Sequence, residues 1–418
     1  MNIDDFNTGL LGFLDASPTP FHATRNMSMM CANAGFVQLD ETEKWELEKG
    51  QKYFVTRNDS SIIAFTYPGS DEYIMMGAHT DSPNLKLKPS PVIEKNGLVQ
   101  LGVEPYGGLL MNPWFDRDLS IAGRVAYKDT KGELKEALID VQKAIAVIPS
   151  LAIHLDKEAN KGRSVNAQTD IVPVVTSGEF NFDEWIGWAL NKEGHTDFKS
   201  LLSHELSLYD TQKGSFVVLH DDFVASARVD NLLRCYVSLL TICSVNTTQP
   251  YLMVCSDHEE VGSESTSGAA GSFLESVLRR MTPDFESYTQ LTRKSMMVSC
   301  DNAHAVHPNF SAKHDDNHDP RINEGVVIKV NANQRYASNT KTISRFVLAA
   351  EEQDIKLQEF VTRSDMGCGS TIGPITATRL GLETIDVGLP TFAMHSIREL
   401  AGSKDAHQLY TILLGLSA

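Results

Sequence analysis

The sequence predicts an α/β fold: a three-layer α/β/α domain with a mostly parallel sheet, interrupted by an inserted β-rich domain. Two observations predict it. In residues 1–88 and 223–418, apolar strand-like runs alternate with helical patterns, which is typical of a parallel sheet with helices on both faces. Residues 89–222 contain instead short alternating strands separated by turn residues. The total of 418 residues agrees with two or three domains of about 100–200 residues each.

The first part of the α/β domain is predicted to contain two helices followed by two strands. Residues 3–14 place their apolar side chains near one helical face, and the prolines within residues 17–20 end that helix, because proline restricts the residue before it. A second helix follows, up to about residue 35. The runs 61–67 and 73–78 are strand-like, and the second is continuously apolar, as in a strand buried on both faces.

The insert and the second part of the α/β domain differ in their patterns. In the insert, residues 97–101 and 120–127 resemble strands, and residues 129–132 resemble a turn. From residue 223 the alternation of strands and helices returns. The predicted helices are 229–240, 271–280, 340–353 and 373–381, and the predicted strands are 251–255, 295–300, 326–330 and 384–387.

The chain is acidic, with 54 Asp and Glu residues against 37 Lys and Arg residues and a formal net charge of −17. Such a chain repels phosphate backbones and anionic lipid, so nucleic acid and membrane surfaces are poor partners. No apolar run reaches the roughly 20 residues that span a bilayer. The first six residues are acidic where a signal peptide is positively charged, so we expect a cytoplasmic protein.

The six cysteines include no C-x-x-C pair, and several lie in apolar runs. We therefore expect reduced thiols in the core of a cytosolic protein. Cys368, in a glycine-rich segment, is the one cysteine that we consider for a functional surface.

Three polar clusters directly follow buried strand-like runs. They are His79-x-Asp81, Asp257-His258-Glu259-Glu260 and Asp301-Asn302-x-His304. In open α/β sheets, sites form beyond the carboxyl ends of the strands, and histidine and carboxylate side chains are metal ligands. Each cluster alone could be a solvated polar loop, but the three together predict a metal site.

Two pairs of residues in these clusters have distinct expected roles. His79 and Asp81 lie on the same side of an extended segment, so Asp81 is placed to accept the second N–H of a ligating imidazole. Its alternative role is that of a turn residue before Ser82. Glu259 and Glu260 diverge, so that one can bind metal while the other acts as a general base toward water. Their alternative is ordinary loop acidity.

The sequence alone does not decide whether Asp230 and the other histidines bind metal or have structural roles. Asp230 begins an apolar helix, where the helix dipole favours a carboxylate in any protein. A lone histidine after an apolar segment, such as His395, is more often structural than ligating. We interpret four further histidines as residues that resemble metal ligands only by composition, and the loop 314–319 as solvated; these histidines are His304, His307, His314 and His318.

Other catalytic motifs are missing from the sequence. It contains no G-x-x-x-x-G-K-[ST] phosphate loop, no G-x-S-x-G nucleophile elbow, no H-E-x-x-H helix and no zinc-ribbon cysteine set.

Eight segments, in one order along the chain, resemble a known family. They are SPTPFH at 17–22, GAHTDSP at 77–83, SARVDN at 226–231, DHEEVGS at 257–263, DNAHAVHPN at 301–309, NQRYA at 333–337, TIGP at 371–374 and AMHSIRE at 393–399. The family is the M18 metalloaminopeptidases, of the aspartyl aminopeptidase type, and the resemblance runs nearly end to end. So many specific segments in one order are not expected by chance.

The resemblance implies two divalent metal ions per subunit. Asp230 would bridge the two ions. His79 and Asp301 would complete one site, and Glu260 and His395 would complete the other. Zinc suits such ligands, although cobalt or manganese would be accepted by the same set.

The resemblance also implies catalytic and assembly roles. Glu259 would be the general base, and Asp81 would orient a ligand. The inserted β-rich domain would drive dimerisation and assembly to a tetrahedral homododecamer with an enclosed chamber. The segment IPSLAIHL at 148–155 matches the family, and its His154 would reach the active site of a neighbouring subunit to hold the substrate carbonyl or its transition state.

The implied activity is release of N-terminal residues from peptides with a free N-terminus. Lys329 would pair with an acidic N-terminal side chain, although a strand lysine more commonly lies at an exposed edge. Met366, in the expected pocket region, would favour apolar side chains, so the preference stays open. Two alternatives remain: another dinuclear amidohydrolase or deacylase, which needs no free amine, and a non-enzymatic oligomeric scaffold with a vestigial site.

Overall fold

The computed structural model describes residues 1–416, which form two compact units. The first unit contains Met1–Asp81, Gly214–Met394 and the chain from Glu399 onward, and the second contains Ser82–Lys213 and His395–Arg398. No helix of the described residues is long and apolar enough to cross a membrane.

These units begin and end at other residues than the predicted domains, 1–88 with 223–418 and 89–222. The predicted break after residue 88 falls inside a strand, Asn84–Lys95, that belongs to the sheet of the second unit. The predicted break after residue 222 separates two strands, Ser215–Val217 and Phe223–Ser226, that pair with each other in the first unit. Backbone pairing thus keeps each of these strands within one compact unit.

Helices and strands alternate in the first unit as the sequence predicts, whereas the elements between residues 82 and 213 belong to the second unit. The helices are α1 (Ile3–Asp15), α2 (Pro20–Asn33), α3 (Phe182–Lys192), α4 (Val229–Ser244), α5 (Phe273–Met281), α6 (Phe285–Lys294), α7 (Thr340–Glu351), α8 (Ile372–Leu380) and α9 (Asp405–Gly415). The strands are β1 (Val37–Gln38), β2 (Gln51–Arg57), β3 (Ser61–Tyr67), β4 (Ile74–His79), β5 (Asn84–Lys95), β6 (Leu98–Tyr106), β7 (Leu119–Asp129), β8 (Leu134–Asp140), β9 (Val174–Thr176), β10 (Phe198–Asp210), β11 (Ser215–Val217), β12 (Phe223–Ser226), β13 (Tyr251–Ser256), β14 (Met296–Cys300), β15 (Ala303–His304), β16 (Val326–Lys329), β17 (Leu357–Phe360), β18 (Glu383–Gly388), β19 (Pro390–Phe392) and β20 (Glu399–Gly402).

Local sequence explains where several helices begin. The side chain of Asn2 caps α1 by accepting the backbone N–H of Asp5 at 2.8 Å. Pro20 stands in the first turn of α2, where its missing N–H costs no hydrogen bond. Asn339 and Thr342 form a reciprocal capping box at the start of α7.

A nine-stranded sheet forms the centre of the first unit, in the order β1-β2-β3-β13-β4-β14-β18-β16-β17. Its central neighbours β13, β4, β14 and β18 run parallel to one another, whereas β3 and β16 pair with this parallel block in the antiparallel direction. β4, β13 and β14 are buried along their whole length. This confirms the predicted α/β class with a mostly parallel sheet.

Helices cover both faces of this sheet. Along β4, Met76 packs in a cluster with residues of α1, α2, α4 and α9, while its neighbour Met75 packs in a cluster with residues of α5 and α6. The alternation follows from the two-residue period of a strand. Burying one such side chain contributes about 1.5–3 kcal/mol, so both faces stabilise the central strand.

Two smaller sheets complete the units. In the first unit, β11, β12, β20, β19 and β15 form a five-stranded sheet. In the second unit, the antiparallel sheet β8-β7-β10-β5-β6-β9 packs with α3 around a separate core that includes Ile121, Ile186 and Leu208. The second unit is therefore rich in β structure, as the short alternating strands predict.

Candidate metal centre and substrate pocket

Three neighbouring strands of the nine-stranded sheet end at the same edge. β4 ends at His79, β13 at Ser256 and β14 at Cys300. Because β4 pairs in parallel with both β13 and β14, the polar residues that follow each strand lie together.

His79, Asp230 and Glu260 form a group with the geometry of a metal site. One potential ligand atom of each residue lies within 4.8 Å of the other two. The Nε2 of His79 is 3.5 Å from Oδ1 of Asp230. Both of these residues are buried, and Glu260 is half-buried. An imidazole and two carboxylates at such distances are able to share a divalent ion.

Asp230 reaches this group because α4 begins irregularly. Arg228 has a left-handed backbone conformation, with φ of 60°, and Asp230 and Asn231 have non-helical dihedral angles. The Asp230–Asn231 peptide bond is cis. The backbone N–H of Asp230 donates to Oε2 of Glu399 at 2.9 Å. The favourable helix dipole alone does not account for a carboxylate held against His79.

Asp301 lies on the other side of the imidazole. Its Oδ1 is 3.7 Å from Nε2 of His79, and its Oδ2 is 3.3 Å from Nζ of Lys329. Burial acts to raise the pKa of Asp301, but the charges of Lys329 and His79 outweigh it and hold the pKa well below its ordinary value. Asp301 is therefore held as an anion between Lys329 and His79.

Asp81 contacts two of the predicted clusters at once. Its Oδ1 is 3.3 Å from Nδ1 of His79. Its two carboxylate oxygens also accept the backbone N–H groups of Glu259 at 3.1 Å and of Glu260 at 3.0 Å. The contact with His79 is the one that the sequence predicts, whereas the two contacts with the backbone after β13 had no signal in the sequence.

The electrostatics of His79 follow from these neighbours. Burial lowers the pKa of His79, but hydrogen bonds with Asp230, Asp301 and Asp81 outweigh burial and raise the pKa well above its ordinary value. Each nitrogen atom of the imidazole thus has at least one carboxylate next to it.

Glu259 lies beside this group, and its pKa is raised rather than lowered. Its Oε2 is 3.9 Å from Nε2 of His79. Burial raises the pKa of Glu259 to about 7; the charge of His79 opposes the shift, and the carboxylates of Asp301 and Asp81 add to it. A carboxyl group with a pKa near neutrality is suited to accept and return a proton.

A cavity of about 320 Å³ lies in the first unit and has a basic lining. Its lining includes Met366 and Cys368, and its charged or titratable lining residues are His304, His307, Lys313, His314 and Arg363. The described residues that line it include no Asp or Glu, although the chain as a whole carries a net charge of −17. Three of the histidines interpreted as resembling metal ligands only by composition thus line a cavity, which composition alone did not indicate.

Lys329 is buried at the end of β16 and contacts Asp301. Its side chain is 2% exposed, and its Nζ donates to the carbonyl oxygen of Asn302 at 2.8 Å as well as contacting Asp301. The ammonium also lies 5.0 Å from the ring centre of Tyr336. β16 has neighbours on both sides, β18 and β17, so the alternative of an exposed edge-strand lysine is wrong.

His395 and His154 belong to the second unit. His395 lies in the segment His395–Arg398, and its Nδ1 is 3.1 Å from the carbonyl oxygen of Gly108. The backbone N–H of Leu110 donates to the carbonyl of His395 at 3.0 Å. His154 lies in an exposed, irregular segment of this unit.

Sequence reasoning missed two polar residues that support the site. Glu399 accepts the N–H of Asp230, and Arg234 on α4 is fully buried. The available signal was an arginine inside the apolar helical run Leu232-Leu233-Arg234-Cys235-Tyr236, because a charged side chain in such a run needs buried partners.

Comparison with known proteins gives one consistent result. A family model described as "Aminopeptidase I zinc metalloprotease (M18)" matches residues 13–416. A relative from Pseudomonas fluorescens (strain Pf0-1), "Probable M18 family aminopeptidase 2", is 50% identical over 420 residues, which cover 98% of this chain and 97% of the relative. A cryo-EM structure of the Ape4 and Nbr1 complex has a TM-score of 0.94 at 37% identity, covering 99% of this chain and 85% of that chain. The S. cerevisiae mApe1 dodecamer has a TM-score of 0.87 at 27% identity, covering 99% of this chain and 97% of that one.

Proposed function

The chain belongs to the M18 family of aminopeptidases, which are zinc metallopeptidases, and we propose that it removes acidic N-terminal residues from peptides at a site for two divalent ions. One observation carries the proposal: His79, Asp230 and Glu260 converge within 4.8 Å, and Glu259 lies beside them.

The donor set supports divalent metal binding. Imidazole and carboxylate ligands suit zinc, and the same set accepts cobalt or manganese. We assign Asp230 as the bridging ligand, His79 and Asp301 as ligands of one ion, and Glu260 as a ligand of the other. His395 is the remaining ligand of the second ion in this proposal, from the family resemblance.

The protein side chains divide the chemistry of hydrolysis between them. Divalent ions held by these residues would lower the pKa of the attacking water and polarise the scissile carbonyl. Glu259 takes the proton of that water and returns it to the departing amine. Asp81 holds Glu259 in place through the hydrogen bond to its backbone N–H. His154 of a neighbouring subunit helps to stabilise the negative charge on the carbonyl oxygen.

The basic cavity supports a preference for acidic N-terminal side chains. Lys313, Arg363 and the three lining histidines attract a carboxylate locally, whereas the net charge of −17 would not attract acidic peptides from a distance. Met366 contributes apolar surface to the same cavity. We assign the acidic preference to the lining cations, because the ammonium of Lys329 is occupied by Asp301 and Asn302.

The second unit supports an assembly role. Its segment around His154 exposes Leu151, Ile153 and Leu155, apolar side chains at alternate positions that a second subunit would cover. The similarity to a dodecameric structure supports the same arrangement, and we propose a tetrahedral homododecamer built from dimers. We also keep the cytoplasmic location as a prediction, to be tested by fractionation of cells that express the protein.

Release of N-terminal residues from a short peptide panel tests the proposal. The purified protein is assayed after chelation, then after addition of zinc, cobalt or manganese, beside a matched N-acetylated panel. We expect activity that is lost on chelation, restored by metal, blocked by acetylation and highest for Asp or Glu. Cleavage of acetylated peptides would indicate a general amidohydrolase, and no cleavage with any metal would indicate a scaffold.

A further inference from the structure

Arg234 is a fully buried guanidinium close to the proposed metal ligands. It lies on α4, one helical turn beyond Asp230, and has no exposed surface. The charges of Asp301 and Asp230 act on it from nearby. A buried guanidinium is costly unless its environment supplies acceptors and negative charge. Its surroundings therefore indicate a specific role.

The contacts of Arg234 converge on the segment that contains Asp301. Its Nη1 donates to Oδ1 of Asn302, the residue that directly follows Asp301. Its Nη2 donates to the carbonyl oxygen of Leu389 at 3.3 Å. The same carbonyl accepts the backbone N–H of Ala303 at 3.0 Å. One guanidinium thus links Asn302, which follows Asp301, to the segment around Leu389 of the same chain.

Asp301 itself depends on the same segment. The backbone N–H of Asn302 donates to Oδ1 of Asp301 at 2.7 Å, and Lys329 donates both to Oδ2 of Asp301 and to the carbonyl of Asn302. A shift of Asn302 would therefore turn the carboxylate away from His79.

We propose that Arg234 is a positioning residue for metal binding, which holds the carboxylate of Asp301 in place by clamping Asn302 against Leu389. This inference rests on the proposed function in one respect, namely that Asp301 is a metal ligand. It concerns a residue that touches neither the ion nor the substrate.

A positioning role and a simple charge effect predict opposite signs. A permanent cation near the site repels a divalent ion, so its removal should strengthen metal binding if charge alone matters. If Arg234 positions Asp301, its removal should weaken metal binding despite the loss of a positive charge. Outer residues that orient metal ligands typically contribute 10- to 100-fold to affinity.

The experiment measures the zinc dissociation constant of Arg234→Met and Arg234→Lys by competition with a chromophoric chelator. The absorption spectrum of the Co²⁺-loaded protein is recorded as a second readout of ligand geometry. We expect about 10- to 100-fold weaker zinc binding for Arg234→Met. Arg234→Lys keeps the charge but cannot span both acceptors, so it should restore affinity only in part.

Two controls separate positioning from loss of stability and from failure of the metal assignment. Leu239→Ala removes a buried side chain further along α4 and should lower the urea concentration at the midpoint of unfolding without weakening zinc binding. Asp301→Ala should lose affinity if Asp301 is a ligand.

Each outcome decides the proposal. Unchanged or tighter zinc binding by Arg234→Met, with Asp301→Ala weakened, would overturn the role of Arg234 alone. Unchanged binding by Asp301→Ala would overturn the metal assignment itself, and the role of Arg234 with it. If Arg234→Met does not fold, Arg234→Lys carries the test, and affinity equal to that of the unsubstituted protein would overturn the proposal.

Discussion

The carboxylate of Asp81 lies 3.3 Å from Nδ1 of His79 and also accepts the backbone N–H of Glu260 at 3.0 Å. It thereby connects the residues after β4 to the residues after β13. One side chain contacts an imidazole and accepts a hydrogen bond from the backbone of a second proposed ligand, so we expect its loss to displace both residues.

Asp81→Asn should weaken zinc binding about 10- to 100-fold, because an amide cannot accept both backbone N–H groups while also facing the imidazole. Isothermal titration with zinc measures the change. Asp71→Asn, at a largely exposed carboxylate, serves as the matched control and should leave affinity unchanged. An Asp81→Asn protein with normal affinity would contradict the orienting role.

Lys313→Met should lower kcat/KM for an Asp-anilide substrate about 1.4- to 5-fold and leave a Leu-anilide unaffected, since exposed charge pairs contribute about 0.2–1 kcal/mol. Lys44→Met, at a side chain that is 88% exposed, is the control. Equal losses on both substrates would remove Lys313 from the basis of the acidic preference.

Lys329→Ala should not change the substrate preference as Lys313→Met does, because the buried ammonium of Lys329 contacts Asp301. We expect turnover of the Asp-, Glu-, Leu- and Met-anilides to fall by a similar factor, with no change in preference. A selective loss on the acidic substrates would instead assign Lys329 directly to substrate recognition.

The buried Asp405 should give stability a distinct pH dependence. Its carboxylate accepts the backbone N–H groups of Asn323 at 2.8 Å and Gly325 at 3.1 Å, yet burial raises its pKa from 3.8 to about 6. The folded state therefore binds this proton more tightly than the unfolded state. Its stabilising contribution is complete below the ordinary pKa and is lost as the pH rises through about 6.

Asp405→Asn removes this titration. Relative to the variant, the unsubstituted protein should lose roughly 2 kcal/mol of unfolding free energy between about pH 4 and pH 7, because most of the effect of a pKa shift from 3.8 to about 6 falls in this range. Urea unfolding of both proteins across this range measures the difference, in which other titrating groups cancel. A constant difference would show that Asp405 does not titrate in this range.

Mixed oligomers test whether His154 acts on a neighbouring subunit. His154→Ala and Glu259→Gln should each be nearly inactive alone. After dissociation and reassembly together, about a quarter of the sites should combine an intact Glu259 with an intact neighbouring His154, by random mixing of equivalent subunits. The peptidase assay reads the recovery, with each variant reassembled alone as the control. No recovery would place the action of His154 within its own subunit.

The sequence allowed the α/β class to be predicted because continuous apolar runs such as β4 and β13 have few other structural solutions. It also predicted which residues stand at the strand ends, because His79 and the residues around Glu259 and Asp301 directly follow those runs. The sequence did not predict which strands pair with each other. The parallel neighbours of β4 follow from long-range contacts, and these contacts bring Asp81 to the backbone of Glu260.

The sequence also does not show which polar side chains are buried. The burial of Lys329 and the place of His314 in the lining of the cavity had no signal in the sequence, because burial depends on which elements pack against a residue. The partners of the buried Arg234 could not be predicted either, because helical periodicity predicts an apolar face and does not identify the polar groups that contact it.

The most direct test of the account compares two conservative variants, Glu259→Gln and Asp230→Asn. Metal content per subunit is measured by mass spectrometry after dialysis, and turnover is measured with an Asp-anilide. We predict that Glu259→Gln keeps about two ions per subunit and loses turnover by a factor of at least about 100, as expected for a general base. Asp230→Asn should lose metal as well as turnover. Equal metal loss in both variants, or substantial turnover by Glu259→Gln, would contradict the division into a bridging ligand and a general base.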